Sequence, residues 1–589
     1  MGITNDQNSV ANTDEHTLTC ALPGSGKSFT LIELALRLLN KSPSYSILLI
    51  TFTDAATKEL RHRLFEKLTS FQIARVRVQT FHSVAWHMYK LHNNEKLAIG
   101  IDQYFFVERA MREESFGGDH AEAMASIEFY GRQITPKGSD DYNYELYQRY
   151  LSILKSAKRV DFNMVCKKVY VSLSQDIIPP VNETHILVDE FQDTDKLQYN
   201  WLYEHGIRGK KLIVVGDDDQ AIYSWRGAAG YQNMVDFQRD FNSVAYILSE
   251  CFRCGPKILE RAGQLIENNH DRVDKPMVSS APVEGKAWYT DSGEVGEAET
   301  AFKSISNRPS DWAVLARSNL QLDLIETIIK SHGIDYQRLG GKGFWDNPVA
   351  LMFVKSMYVM IEPKSSQVLA EVLGFLHESE QNIGVIINQI NMRRISFGDL
   401  SYTSDDQWSN VAKRYHGMWE KWQIPTSNSN EVALRLKMMI DLCSHVRSSK
   451  SEQGVIRAVS DILQKMQGSF ESNIRYLVER SSVKKKDKQA GEDILTLATM
   501  HSSKGLQFNR VWILGGNEGT CPSKATLEGN SAGGVDEERR LFYVAMTRAK
   551  SELVVSYSIE KELSRFVTES GLEFVQNTIK QTESDENAS

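Results

Sequence analysis

Residues 21–28 read ALPGSGKS, an ordering of glycines, a lysine and a hydroxyl that suits a chain of phosphates. Gly24 and Gly26 let backbone N–H groups approach phosphate oxygens. Lys27 can reach the outer phosphates, and the Ser28 hydroxyl can ligate Mg2+. Ala21, Leu22, Pro23 and Ser25 complete the loop, with Ala21 where such loops usually begin with glycine. A second pair, Asp189 and Glu190, closes the apolar run ILV. Asp189 suits a water-mediated Mg2+ ligand, and Glu190 a general base that polarises an attacking water. Paired acids after an apolar strand can also be plain strand-end solvation; a phosphate loop in the same chain favours the hydrolytic reading. Together they imply a nucleoside triphosphate and Mg2+, and leave a kinase, a GTPase and a transport ATPase open.

These residues need a scaffold that ends at a ligand. HTLTC (16–20) predicts a short strand, followed by the Gly-rich turn and a helix whose Leu31, Leu34, Ala35 and Leu38 form one buried stripe. ILLIT (47–51) predicts a buried strand, DAATKELRHRLFEKL a helix, and RVRVQT (75–80) a further strand. The pattern resumes with HILVD (185–189) and KLIVV (211–215). Strands alternating with helices imply a parallel sheet. Between them, 86–180 is polar, aromatic and helical in pattern, an insertion into the first α/β region. A second α/β region starts near 249, with WAVLA (312–316), VWIL (511–514) and ELVVSY (552–557), and 366–490 is its helical insertion. The expected segments are 1–85 and 181–248 in one α/β domain, 249–365 and 491–570 in the other, and an acidic, disordered tail over 571–589.

The 589 residues, 41% hydrophobic and 24% charged, describe a core-forming chain of about four compact units. No run of eighteen apolar residues is present, and MGITNDQNSV lacks the basic start and apolar stretch of a signal peptide, so no membrane and an intracellular location are expected. Six cysteines do not make a disulfide framework. Cys251 and Cys254 form one CxxC, which reads as local packing or as half a metal site. The net charge of −8 neither supports nor excludes nucleic acid, because phosphate contacts depend on local Lys and Arg; it argues against coating DNA with the whole surface. Lys484, Lys485 and Lys486 read as a solvated linker or a DNA contact.

Seven ordered stretches go further. ITFTDAATKELRHRL (50–64), VQTFHSVA (78–85), ILVDEFQDTDKLQYNWL (186–202), VVGDDDQAIYSWRGA (214–228), SECFRCGPKILERAGQLIENN (249–269), TLATMHSSKGLQF (496–508) and DEERRLFYVAMTRAKSELVVSYS (536–558) resemble motifs Ia, Ib, II, III, IV, V and VI of the UvrD/Rep-like superfamily 1 DNA helicases. SRF (564–566) resembles the pattern just after motif VI. The resemblance implies an α/β fold of two RecA-like P-loop NTPase domains with parallel sheets, each carrying a mostly helical inserted subdomain. It implies an ATP-dependent 3′→5′ DNA helicase that translocates on single-stranded DNA and unwinds duplex, in repair, replication or recombination. Its partners would be single strands, single–double strand junctions and repair or replication proteins, and it would act as a monomer or a DNA-dependent dimer. An ATPase that displaces proteins from single strands, and a nucleotide-switched subunit of a repair or defence complex, remain as alternatives.

The resemblance also assigns roles. Gln220 would sense the γ-phosphate, Arg253 and Arg548 would be arginine fingers, and Phe252 would stack on adenine. Phe52, Tyr223 and Trp225 would be platforms for bases, with Arg226 beside them; Thr80, His82, Thr499 and His501 would contact the DNA backbone. Core packing is the other reading of the aromatics, but two of them flanked by Asp217, Asp218, Asp219 and Gly227 suit a polar turn. The chain departs from the family at Cys251 (usually Asn), Phe252 (usually Tyr) and Gln507, where the usual Glu contacts the ribose. Gln7 lies at about the expected distance before Lys27 for an adenine-reading glutamine, with poorly matching flanks. Both insertions look reduced, and NIGVIINQI (382–390) resembles a duplex-contacting Gly turn or an ordinary helix start.

Overall fold

The computed structural model describes residues 2–576 except 137–140, 294–295, 340–346, 363–364, 402–407, 425, 427, 448–449, 466–468 and 483–493. Lys484, Lys485, Lys486 and residues 577–589 of the acidic tail lie outside the described residues. The chain divides into two units, Met1–Gly341 with Asp493–Ser589, and Lys342–Glu492.

The larger unit is built on two parallel sheets. In the first, the strands run Val76–Thr80, Ile47–Thr51, His185–Val188, Lys211–Gly216, Thr17–Ala21, Val244–Leu248 across the sheet, and every pair is parallel. Thr17–Ala21, Ile47–Thr51 and His185–Val188 are buried at every position. Continuous apolar runs are what a parallel strand needs when helices cover both faces. One face packs on Leu31, Leu34, Ala35 and Leu38 of helix Lys27–Lys41, and the other on Val84, Ala85 and Met88 of helix Phe81–Lys90 and on Val165 and Val169 of helix Phe162–Ser174.

This arrangement puts the carboxyl ends of neighbouring strands side by side. The phosphate loop, Phe52, Thr80, Asp189 and Asp217 each follow or end such a strand, where open α/β sheets bind ligands.

The second sheet is also parallel throughout, ordered Tyr336–Leu339, Leu495–Thr499, Trp312–Ala316, Phe508–Leu514, Ala549–Tyr557, Lys286–Asp291, Glu573–Phe574. The fold is therefore α/β with two parallel-sheet lobes. The acidic tail starts later than residue 571: Glu573–Phe574 pairs with Trp288 and Tyr289, Leu572 is buried, and the Phe574 ring lies 5.4 Å from that of Tyr289.

The insertion of the first lobe has its own small core, including Val107, Ile127, Leu146, Tyr150 and Leu154. Helix Phe81–Lys90 runs through the expected boundary at residue 85, because its apolar face belongs to the sheet core. The unit Lys342–Glu492 is helical among its described residues. It begins ahead of residue 366, because Phe353, Val354 and Met357 of helix Pro348–Ile361 pack into its core with Leu373, Ile386, Met439 and Ile474. NIGVIINQI lies within the continuous helix Glu380–Arg393, capped by Ser379, so the ordinary helix describes it. No helix among the described residues is long and apolar enough to cross a membrane.

Ile213 sits at the centre of the first sheet with no solvent exposure. Ile213→Ala is expected to cost about 2–5 kcal/mol through lost burial and a residual cavity, read as a lower urea midpoint by circular dichroism.

Candidate functional site

The phosphate loop leaves strand Thr17–Ala21 and turns through Gly24 (φ +71°) and Gly26 (φ +80°), left-handed conformations that favour glycine. Helix Lys27–Lys41 starts directly after, with no side chain capping its first N–H groups. Free N–H groups and the positive end of the helix dipole make this a site for an anion. The Ser25 hydroxyl is buried with no hydrogen-bond partner among the described residues, which suits a loop that binds an anion. Gln7 is buried beside it, donating from Nε2 to the Ser25 carbonyl at 2.9 Å. It is fixed by a capping box with Thr4 on helix Asn5–Ala11, a Thr-x-x-Gln signature the sequence carries.

Opposite the loop, strand His185–Val188 delivers the two acids. Ser28 Oγ donates to Asp189 Oδ2 at 3.1 Å, and Lys27 Nζ lies 3.2 Å from Glu190 Oε2. A hydroxyl and a carboxylate in contact are the hard oxygen donors Mg2+ prefers, so these residues fit that ion. Glu190 adopts φ +53°, an uncommon conformation for a residue with a side chain, and Gln192 Nε2 donates to it at 2.7 Å. Burial alone would raise the Glu190 carboxyl, but Lys27 and Lys504 overturn that and hold it well below the usual range. Burial, then the neighbouring Glu190 charge, pushes Asp189 above the usual range.

The second lobe completes the site. The Phe252 N–H donates to the Gly24 carbonyl at 3.0 Å, and a Cβ built on Gly24 would lie 2.5 Å from Arg253 Cβ. Arg253 therefore abuts the phosphate loop. Its Nε donates to Gln507 Oε1 at 3.2 Å and its Nη1 to the Thr547 carbonyl at 3.3 Å. Arg548 is buried, donating to the carbonyls of Val544 (2.8 Å) and Leu506 (3.1 Å) and, from Nη2, to Gln220 Oε1 at 3.1 Å. Burial, then the Arg253 charge, pulls its guanidinium down to about 9. Neither arginine is within ion-pairing distance of a carboxylate among the described residues; Arg253 abuts the loop, and Arg548 meets the first lobe at Gln220.

The DNA-contact candidates lie along the same carboxyl ends. Phe52 follows strand Ile47–Thr51, half-buried. Thr80 Oγ1 caps helix Phe81–Lys90 by accepting from the Ser83 N–H at 3.2 Å, and the exposed His82 ring stacks on Phe162 at 4.8 Å. Thr499 ends strand Leu495–Thr499 and accepts from the Ser502 N–H at 3.2 Å. Trp225 is 55% exposed, and the Arg226 guanidinium lies over its ring at 4.5 Å; Tyr223 is half-buried, 6.4 Å from Trp225 between ring centres. Trp225 is not a core side chain, whereas Tyr223 packs on one side against the second-lobe core. A cavity of about 510 Å³ opens between Trp225, His501, Arg317 and helix Gly534–Met546. Burial, with the charges of Arg317, Lys504 and Arg226, pulls His501 down to about 4, so at neutral pH it is an uncharged donor or acceptor.

Three residues that the sequence reading did not single out matter here: Lys504 and Glu537 tie the lobes together, and Arg317 lies within the second lobe. Lys504 Nζ sits 2.6 and 2.7 Å from the Asp193 carboxylate and 2.7 Å from the Gln220 carbonyl. Glu537, at the start of helix Gly534–Met546, accepts from the Ser224 N–H at 2.9 Å and from its hydroxyl. Arg317, which pairs with Glu538 at 2.6 Å, was the most findable, since it directly follows the strand WAVLA. Cys251 and Cys254 are buried and share a contact, Cys254 N–H to Cys251 Sγ at 3.4 Å, and no further metal-capable side chains surround them among the described residues, so packing describes them.

Two family models match nearly the whole chain: the UvrD/REP helicase N-terminal domain over residues 3–114 and 120–242, and the UvrD-like helicase C-terminal domain over 246–560. The chain is 27% identical to DNA helicase II of Haemophilus influenzae, covering 95% of this chain and 85% of that protein. It is 26% identical to DNA helicase II of Escherichia coli (94% and 84% covered) and 26% identical to ATP-dependent DNA helicase PcrA of Staphylococcus aureus (95% and 83%).

A methyl group on Gly24 would meet both a left-handed backbone and Arg253 Cβ. Gly24→Ala is expected to weaken binding of a fluorescent ATP analogue by roughly 5–150-fold, the equivalent of one strained residue at about 1–3 kcal/mol.

Proposed function

The chain belongs to the UvrD/Rep helicase family, and from that membership we propose that it is an ATP-dependent DNA helicase that travels 3′→5′ along single-stranded DNA and opens duplex as it goes. The observation that carries the ATP-driven part is the pair Arg253 and Arg548: second-lobe cations with no ion-paired carboxylate among the described residues, one against the first-lobe phosphate loop and the other on first-lobe Gln220. The names of the relatives support DNA as the track.

In this reading the loop N–H groups and Lys27 bind the triphosphate of ATP. Lys27 exchanges its contact with Glu190 for phosphate oxygens, which frees the Glu190 carboxylate to orient a water and take its proton. Ser28 and Asp189 would hold Mg2+, which supplies positive charge to the phosphate oxygens when bound. Arg253 and Arg548 neutralise charge developing on the transferred phosphoryl group, and Phe252 and Gln507 bracket the base and sugar. Gln220 links Arg548 to the turn that carries Tyr223 and Trp225. Bases stack on those rings and on Phe52, a mode indifferent to sequence, while Thr80, His82, Thr499 and His501 hold the backbone and Arg226 adds positive charge.

Its substrates would be single strands and single–double strand junctions inside the cell, in repair, replication or recombination, with repair or replication proteins as partners and a monomer or DNA-dependent dimer as the working form. The deciding experiment is strand opening with fluorescent duplexes bearing 3′ or 5′ tails, run beside DNA-stimulated ATP hydrolysis. Opening of the 3′-tailed duplex alone is expected. Opening only from a 5′ tail would overturn the polarity, and stimulated hydrolysis without opening would point to a protein-displacing translocase. Lys27→Ala should abolish hydrolysis, and Trp225→Ala should raise the Kd for oligothymidine by roughly 5–150-fold, the loss of one stacking platform worth about 1–3 kcal/mol.

A further inference from the structure

Lys275 lies between helix Pro256–Ile266 and strand Val278–Ser279 of the second lobe, and its side chain has no solvent exposure. Its ammonium contacts three consecutive first-lobe acids: Asp217 at 2.8 Å, Asp218 at 2.5 Å and Asp219 at 2.9 Å, all equally buried. Arg272 adds a two-pronged pair to Asp219 (3.0 and 2.9 Å), and the Val273 N–H donates to Asp218 at 2.6 Å. The three carboxylates stand close enough to share a cation, and the ammonium from the other lobe is that cation. Four buried charges and the nearly buried Arg272 are an expensive way to hold two lobes together, since well-packed apolar side chains of similar volume usually serve at least as well.

The network has a specific terminus that an apolar contact could not provide. Asp217 Oδ1 accepts from Lys275, while its Oδ2 accepts from Gln220 Nε2 at 2.6 Å. Gln220 Oε1 in turn accepts from Arg548 Nη2 at 3.1 Å. The chain Lys275–Asp217–Gln220–Arg548 leaves the second lobe, crosses two first-lobe side chains and returns to the second lobe. One oxygen of Asp217 belongs to the lysine and the other to the glutamine, so the amide of Gln220 is held with its oxygen toward Arg548.

We propose that Lys275 is a positioning residue for ATP hydrolysis: by pinning Asp217 from the opposite lobe, it sets the orientation in which Gln220 engages Arg548, and so ties hydrolysis to the approach of the two lobes. The proposal rests on the helicase reading above and adds a residue that acts through another rather than on the nucleotide.

The test is a double-mutant cycle on steady-state ATP hydrolysis by the full chain, with and without oligothymidine, for wild type, Lys275→Met, Gln220→Ala and the double variant. Lys275→Met should lower kcat by about tenfold or more while KM for ATP moves less than about threefold, and the double variant should be no slower than Gln220→Ala alone within about twofold, the sign of two side chains acting as one unit. Losses that multiply, or a kcat that stays at the wild-type level, would overturn the proposal. Should Lys275→Met fail to fold, Asp217→Asn carries the same cycle: it weakens the shared carboxylate yet leaves Asp218 and Asp219 to the lysine, and its loss must likewise be non-additive with Gln220→Ala. A wild-type chain that hydrolyses ATP with no response to oligothymidine would count against the helicase reading, and the cycle is then decided on the basal rate. A wild type without any hydrolysis overturns both.

Discussion

Arg253 brings a positive charge to a loop whose own backbone already presents positive N–H dipoles, Arg548 brings a second to neighbouring Gln220, and neither is ion-paired to a carboxylate among the described residues. Burial first, and the Arg253 charge second, depress the Arg548 guanidinium. Such a concentration of charge does not favour packing. In the proposed function it is relieved by the triphosphate, and because the cations belong to one lobe and the loop to the other, relief and lobe contact would become the same event. The neighbouring ion pairs make the contrast plain: Lys504 with Asp193, Arg317 with Glu538 and Lys275 with its three acids all have counter-charges.

Two parallel sheets make this possible. Each ends its strands on one side, so short loops that are far apart in sequence converge on one line: the phosphate loop, Phe52, Thr80, Asp189 and Asp217 in the first lobe, and Arg317 and Thr499 in the second. The helical insertions leave the sheets intact. The first shares helices Phe81–Lys90 and Phe162–Ser174 with the sheet core, whereas Lys342–Glu492 closes on a core of its own.

Local chemistry was legible in the sequence because it is written in adjacent residues. ALPGSGKS, the acids after ILV and the apolar strand runs each carry their own signal, and the structure puts the strands where those runs stand. Long-range pairing was not. Lys275 is a single lysine in a polar stretch, and nothing near it announces three acids more than fifty residues earlier. Helix Pro348–Ile361 is apolar enough to belong to either neighbour, so its membership of the helical unit is decided by packing partners. Glu573–Phe574 is too short to show a period, and only its pairing makes it a strand. Gln7 had the right spacing, and its capping box with Thr4, not its flanks, explains its position.

Helix Gly534–Met546 carries Glu537 at its first turn, bound to Ser224 beside Trp225, and hands over to Arg548 just past its last. Thirteen residues of helix form a stiff rod about 20 Å long. A displacement imposed at the arginine end therefore arrives at the tryptophan end without being absorbed by pliable loop. Such a beam would fix the stroke of the proposed motor by its length and pivot, making the advance per cycle a property of geometry.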